Sequence, residues 1–103
     1  MIIKNSDTKQ FLEKKIGGSL TLGKFIEAIR RGDGISQKEF ALKLKISCTH
    51  LCDIEKNRKC VSPERAARFA KLLGYSESQF VTLSLQDLVN QAGLKLKVEV
   101  RAA

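Results

Sequence analysis

The stretch SQKEFALKLKISCTHLCDIE, residues 36–55, decides the fold of this chain. Ser36 and Glu39 form the S-x-x-E pattern of a capping box, which predicts that a helix begins there. Apolar residues then recur at helical spacing until Lys45–Ile46, where the pattern breaks, and Ser47 is placed to cap a second helix. Two short helices joined by a tight turn predict a helix-turn-helix, whose second helix can lie in the major groove of DNA.

The composition fits one small globular domain that has an anionic partner. The chain has 103 residues and a formal net charge of +8. An excess of basic side chains favours nucleic acid as the partner, although charge alone is a weak argument. The three cysteines are an odd number, which argues against a secreted disulfide framework. No apolar run approaches the roughly 20 residues of a membrane span, and the first ten residues lack a signal-peptide core, so we expect a cytoplasmic protein.

The chain divides into an arm, a domain and a tail. We expect residues 1–18 to form an N-terminal arm with a short helix, residues 19–92 to form the DNA-binding domain, and residues 93–103 to form a β-strand. The tail predicts a strand because apolar and charged residues alternate for eight positions, LKLKVEVR, residues 94–101. A lone strand is not stable in water, so it must pair within the chain, with a second subunit or with another protein.

Three further helices are expected in the domain, which makes the fold class all-α with five helices. One starts near Thr21, before the helix-turn-helix, and two follow it with caps at Ser62 and Ser76. The last helix carries more apolar surface than a small bundle hides, so part of it is expected to join the tail in a dimer seam. The predicted seam comprises Leu83, Leu85, Leu88, Val89, Leu96 and Val98.

The outer face of the second helix of the helix-turn-helix is the predicted base-reading surface. Base edges are reached from the N-terminal half of such a helix. The hydroxyl of Thr49 suits a base edge and its methyl suits thymine, whereas the carboxylate of Asp53 suits the amino group of cytosine. The predicted base contacts are Cys48, Thr49, Cys52 and Asp53. The alternative interpretation is an ordinary solvent-facing helix surface.

Basic and polar residues around that helix are predicted to contact DNA phosphates. They flank the turn before it and form a basic loop after it. Such contacts set affinity and salt dependence rather than sequence preference. The predicted set comprises Gln37, Lys43, Lys45, His50, Lys56, Asn57, Arg58 and Lys59. The alternative interpretation is that these residues only face solvent and contact no partner.

The sequence favours neither catalysis nor a bound cofactor. It has one histidine, no glycine-rich phosphate loop, and no Ser-His-Asp or paired-carboxylate arrangement, so we expect no enzyme. Cys48 and Cys52 lie four residues apart, but His50 faces another way and no C-x₂-C pair exists, so no metal site is predicted. A redox role of the two cysteines at the DNA-facing surface is left open.

The segments GISQKEFALKLKIS (34–47), THLCDIEKNRK (49–59) and VSPERAARFAKLLGYS (61–76) resemble the Xre family, the helix-turn-helix fold of lambdoid phage repressors. Within that family the chain is most similar to the HigA-type antitoxins of bacterial toxin–antitoxin pairs. The likeness covers about residues 21–90 and is more specific for the fold than for the antitoxin role. It implies a lambda-repressor-like domain, a homodimer and binding to a palindromic operator.

The resemblance also implies roles for single residues. Gln37 is expected to touch the DNA backbone and to brace a base-reading side chain. Arg30 and Glu55 are expected to form a structural ion pair that fixes the second helix, with Glu55 away from DNA. Lys45 and Asn57 stand where the family usually has glycine, so either a left-handed Lys45 costs about 1 kcal/mol or the turn differs slightly from that of the family.

The function expected from the sequence is sequence-specific DNA binding by a homodimeric transcriptional repressor. The resemblance adds an antitoxin role, in which the chain neutralises a toxin protein and represses its own operon. Two alternatives remain open. One is a phage-type or stand-alone repressor without a toxin, which a neighbouring toxin gene would exclude. The other is a protein-interaction module that has kept the fold but lost DNA binding.

Overall fold

The structure, a computed structural model, describes residues 20–103. Its helices are α1 (Leu22–Gly32), α2 (Gln37–Leu44), α3 (Cys48–Glu55), α4 (Pro63–Leu73) and α5 (Glu77–Gln91). The all-α class and the five helices of the domain are therefore confirmed within the described part. The expected arm, residues 1–18, lies outside the described residues.

A serine or threonine hydroxyl caps the start of each of these helices. The caps are Thr21, Ser36, Ser47, Ser62 and Ser76. Each hydroxyl accepts a hydrogen bond from the backbone N–H three residues later, at 3.0–3.3 Å. These N–H groups have no partner inside their own helix, so the caps fix where the helices begin. The helix starts predicted from the sequence are confirmed.

Two residues other than glycine hold a left-handed backbone on either side of α3. Lys45, directly after α2, has φ 60° and ψ 41°, which is one of the two possibilities that the resemblance implied, and Asn57 has φ 59°. Asparagine tolerates this region better than lysine does. The Oδ1 atom of Asn57 also accepts a hydrogen bond from the Thr21 hydroxyl at 2.9 Å, which ties the loop after α3 to the start of α1.

The core lies between the helices and is built around four fully buried phenylalanines, Phe25, Phe40, Phe69 and Phe80. The ring of Phe25 meets that of Phe80 at a centroid distance of 5.6 Å, in an edge-to-face arrangement that aromatic pairs favour. α3 packs against α1 and α2. The helix-turn-helix is thus one part of the bundle rather than a separate unit.

The predicted C-terminal strand is wrong for the single chain, because no strand is present between residues 20 and 103. The tail meets a helix instead of another strand. The side chain of Gln86 on α5 donates to the carbonyl oxygen of Leu96 and accepts from the N–H of Val98, both at 2.8 Å. The side-chain amide of Gln86 therefore makes the hydrogen bonds to the tail backbone that a neighbouring strand was expected to make.

One residue of the predicted dimer seam belongs to the core, and this part of the prediction is corrected. Leu83 is fully buried with the phenylalanines. The apolar residues of α5 lie on more than one face, so helical spacing alone did not separate core from surface. The other five seam residues are half-buried or exposed in the single chain: Leu85, Leu88, Val89, Leu96 and Val98.

Gly23 allows α1 to lie directly against the end of α3. A Cβ atom added to Gly23 would overlap the carbonyl oxygen of Ile54 and would lie 2.8 Å from Oδ1 of Asn57. Since the first of these neighbours is backbone, no side-chain rotation can make room. The close approach therefore requires glycine at this position.

Gly23→Ala is expected to destabilise the fold by about 3 kcal/mol, because α1 and α3 must move apart. The matched control is Gly32→Ala at the other end of α1, where an added Cβ meets nothing within 4 Å. There alanine is expected to leave stability unchanged or raise it by up to about 1 kcal/mol. Chemical denaturation measures both, and equal stabilities of the two variants would contradict the close approach.

Candidate nucleic-acid interface

α3 has one side in the core and one side open. Leu51 and Ile54 are fully buried. The four residues predicted to read bases lie on the other side: Cys48 and Thr49 are exposed, and Cys52 and Asp53 are half-buried. Their spacing places them together on the N-terminal half of the helix and one turn beyond it. The structure thus gathers the predicted base contacts on one accessible surface.

Glu55, the last residue of α3, is fully buried and is held by two side chains. Arg30 on α1 donates from Nε and Nη2 to the two carboxylate oxygens at 2.8 and 3.0 Å. Arg30 also donates from Nη1 to the carbonyl oxygen of Ile35 at 3.1 Å. The hydrogen bond to Glu55 raises the pKa of Arg30, so the guanidinium stays charged. The structure brings the expected ion pair together and keeps Glu55 away from solvent.

Gln37 on α2 supplies the other contact to this carboxylate. Its Nε2 donates to Oε1 of Glu55 at 2.9 Å. Gln37 therefore braces a buried residue rather than a base-reading one, and its contact with DNA stays a prediction. The pairing of Gln37 with Glu55 was not visible in the sequence, because no local pattern links two residues eighteen positions apart.

Asp53 anchors the basic loop that follows α3. Its carboxylate accepts a hydrogen bond from Nε of Arg58 at 2.9 Å and lies 3.7 Å from Nζ of Lys59. The bond to Asp53 raises the pKa of Arg58, which stays fully charged. Both basic side chains are more than half exposed. Asp53 thus holds two cations beside the open face of α3, and base reading by Asp53 itself stays a prediction.

His50 turns towards α4. Its Nε2 lies 3.2 Å from Nη1 of Arg65. Burial and the neighbouring charge of Arg65 lower the pKa of His50, so the imidazole is neutral at pH 7. A neutral ring has no charge attraction for phosphate, and the predicted phosphate contact of His50 depends on an N–H donor alone. The pairing with Arg65 was not visible in the sequence.

Exposed side chains surround both ends of α3. The remaining predicted phosphate contacts are all exposed: Lys43, Lys45, Lys56, Asn57, Arg58 and Lys59. Two of them precede α3 and four follow it, which places positive charge on either side of the predicted base-reading surface. Among residues 20–103, no three His, Cys, Asp or Glu side chains are grouped to hold a metal ion.

The comparison with known families supports this geometry. A family model described as a helix-turn-helix domain matches residues 23–94, which span α1 to α5. No match was found among curated proteins or among solved structures. No helix in the described part of the chain is long and apolar enough to cross a bilayer.

Arg30→Met is expected to destabilise the protein by about 3–5 kcal/mol, because it leaves a buried carboxylate without its cation. The double variant Arg30→Met/Glu55→Met removes both charges and should recover most of that loss. The control is Arg31→Met, since Arg31 is 71% exposed and its only ion pair in the described residues, 3.6 Å from Glu27, is a surface one. That variant should stay within about 0.5 kcal/mol of the wild type.

Denaturant midpoints of the wild type and the three variants measure these changes in stability. A loss below about 1 kcal/mol for Arg30→Met would place this pair with ordinary surface ion pairs and would contradict its structural role.

Proposed function

The chain belongs to an Xre-like family of helix-turn-helix domains, and from that premise we propose that it is a sequence-specific DNA-binding transcriptional repressor. The observation that carries the proposal is the two-sided character of α3. Its inner side is fixed by Leu51, Ile54 and the buried Glu55. Its outer side is open and flanked by exposed cations. A helix presented in this way fits the major groove, which is wide enough to admit one.

The proposed docking places the N-terminal half of α3 in the groove. Thr49 is exposed in the first turn and offers both a hydroxyl and a methyl to a base edge. Cys48 and Cys52 have short side chains that allow close approach. Asp53 lies near phosphates in this arrangement, where its ion pairs with Arg58 and Lys59 offset the repulsion.

The cations around α3 are proposed to contact phosphates and to set affinity. The loop after α3 is held in place from two directions, by Asp53 through Arg58 and by Thr21 through Asn57. A loop fixed in this way loses less conformational entropy on binding than a free one. The basic loop favours DNA binding. An uncharged or acidic outer face would favour an interaction module that has lost DNA binding, and Asp53 and the two cysteines of α3 give that alternative some weight.

The repressor is proposed to act as a homodimer that meets through α5 and the tail. Leu88, Leu94 and Leu96 are 42%, 51% and 62% exposed, and they are three of the four large exposed hydrophobic residues in the described part. Gln86 occupies one edge of the tail backbone. In an extended chain the backbone groups of Lys97 point to the opposite edge, which suits pairing with a second copy.

A two-fold dimer of this kind places two copies of α3 about one DNA turn apart, which matches a palindromic operator. We propose further that the chain is the antitoxin of a HigBA-like pair, which binds a toxin protein and represses the operon of both. The resemblance of residues 34–76 to HigA-type antitoxins supports that role. A stand-alone repressor would use the same DNA interface, and the neighbouring gene distinguishes the two.

Purified protein is expected to bind DNA from upstream of its own gene more tightly than scrambled DNA, and less tightly as salt rises. Lys59→Gln should weaken binding to every sequence and reduce the salt slope by about one. Thr49→Val should cost about 1–3 kcal/mol at one base pair and relax the preference there.

Lys71→Gln on α4, outside the proposed interface, is the matched control for Lys59→Gln and should bind as the wild type does. Fluorescence anisotropy at two salt concentrations measures all four proteins. Equal binding of operator and scrambled DNA would contradict a sequence-specific repressor and leave only a basic surface. Absence of binding would favour the interaction module.

Leu96→Glu is expected to weaken dimerisation by about tenfold or more, because it places a charge in an apolar seam. The matched control is Leu42→Glu, since Leu42 on α2 is 72% exposed and lies outside the proposed seam. Sedimentation equilibrium gives the dissociation constants. A monomeric wild type, or equal effects of the two substitutions, would exclude this seam.

A further inference from the structure

The cysteines of α3 are unusually accessible. Free cysteine is among the residue types most often buried in proteins. Here none of the three is buried: Cys48 and Cys60 are exposed, and Cys52 is half-buried. Cys48 and Cys52 lie one helical turn apart on the side of α3 that is proposed to face DNA. Packing therefore does not explain the pair.

A fixed cation lies beside one of these sulfur atoms. Nη2 of Arg58 is 3.5 Å from Sγ of Cys52, and Nε of the same guanidinium is bound to Asp53 at 2.9 Å. Lys59 lies on the other oxygen of that carboxylate, at 3.7 Å. Asp53 thus holds two positive groups, of which Arg58 lies next to Cys52. A thiol compound that carries negative charge and reaches this sulfur meets complementary charge there.

The two cysteines cannot readily bridge each other. Residues at positions i and i+4 of a helix have Cβ atoms about 5–6 Å apart. A disulfide needs about 3.5–4.5 Å between them. A disulfide between Cys48 and Cys52 would therefore distort α3, so a stable disulfide at either sulfur needs another thiol as its partner.

We propose that the Cys48–Cys52 pair is a modification site that takes one anionic low-molecular-weight thiol as a mixed disulfide. The co-reactant is the disulfide form of that thiol, RS–SR. The cysteine thiolate attacks one of its sulfurs, the new bond joins protein and RS, and the old S–S bond breaks. The second RS group leaves as a thiolate and takes a proton from water. The protein sulfur is oxidised and the departing sulfur is reduced.

The adduct would act on DNA binding through its position and its charge. It would occupy space between α3 and the groove, and it would bring negative charge towards phosphates. It would also compete for Arg58 and Lys59, which are proposed phosphate contacts. The modified chain should therefore release its operator until a reducing thiol removes the adduct. This consequence depends on the proposed function, whereas formation of the adduct does not.

The test treats the full chain with glutathione disulfide and follows three quantities: the site of the adduct by mass spectrometry, helix content by circular dichroism, and operator affinity. The expected result is one glutathione on Cys48 or Cys52, unchanged helix content, and an affinity lowered by about tenfold or more. Dithiothreitol should restore the affinity. Cystamine, a cationic disulfide of similar reactivity, should react more slowly with this pair.

Variants of the cysteines provide the controls. Cys60→Ser should behave as the wild type, because Cys60 lies outside the proposed interface. Cys48→Ser/Cys52→Ser should take no adduct outside Cys60, and its operator affinity should not change when its own treated and untreated forms are compared.

Several results would overturn the proposal: an adduct on Cys60 alone, an adduct on the pair with unchanged affinity, loss of helix content on modification, or faster reaction with cystamine. Untreated protein that does not bind the operator would instead refute the proposed function. The mass spectra would still decide whether the pair takes the adduct.

Discussion

The buried carboxylate of Glu55 is the contact on which the rest of the structure depends. Its partners come from two other elements, Arg30 on α1 and Gln37 on α2, and Arg30 also reaches the loop between them at Ile35. Because an unpaired charge in this position would be costly, α3 cannot rotate or slide without losing several contacts together. Gly23 adds a steric constraint at the same end of α3, where α1 lies against backbone. The C-terminal end of α3 is therefore fixed from two sides.

This anchoring separates the two tasks of α3. Its buried residues and its last turn hold the helix in the bundle, whereas the outer side of its N-terminal half, with Cys48 and Thr49, is exposed and open to a partner. Asp53 is half-buried between the inner and outer sides of α3, and its carboxylate positions Arg58 and Lys59 beside the open face. A rigid helix that presents a small number of exposed side chains suits recognition of DNA, because little order has to be gained on binding.

Local chemistry was readable from the sequence, and long-range pairing was not, except for the Arg30–Glu55 ion pair, which the resemblance to the Xre family implied. The capping residues follow from patterns within a few residues, and the structure has them as expected. The left-handed backbone at Lys45 was one of two possibilities that the resemblance implied, and the structure has it. The strand prediction failed because the alternation of apolar and charged residues in 94–101 shows that the segment can form a strand but does not identify its hydrogen-bonding partner. In the structure, the side chain of Gln86 makes the hydrogen bonds to the tail backbone that a neighbouring strand was expected to make. Leu83 was assigned to a seam because spacing on an apolar helix does not reveal which face is covered. The contacts of Gln37 with Glu55 and of His50 with Arg65 join distant positions and left no local signal.

The most direct test of the account is to map the DNA-contacting surface on the protein by NMR. Backbone amide shifts of labelled protein would be followed while DNA from upstream of its own gene is added. We predict that the largest changes fall in residues 48–53 and in the loop 56–59, with small changes at the buried end of α3 around Ile54 and Glu55. Changes concentrated on α5 and the tail, with α3 unaffected, would contradict the claim that the open face of α3 reads DNA.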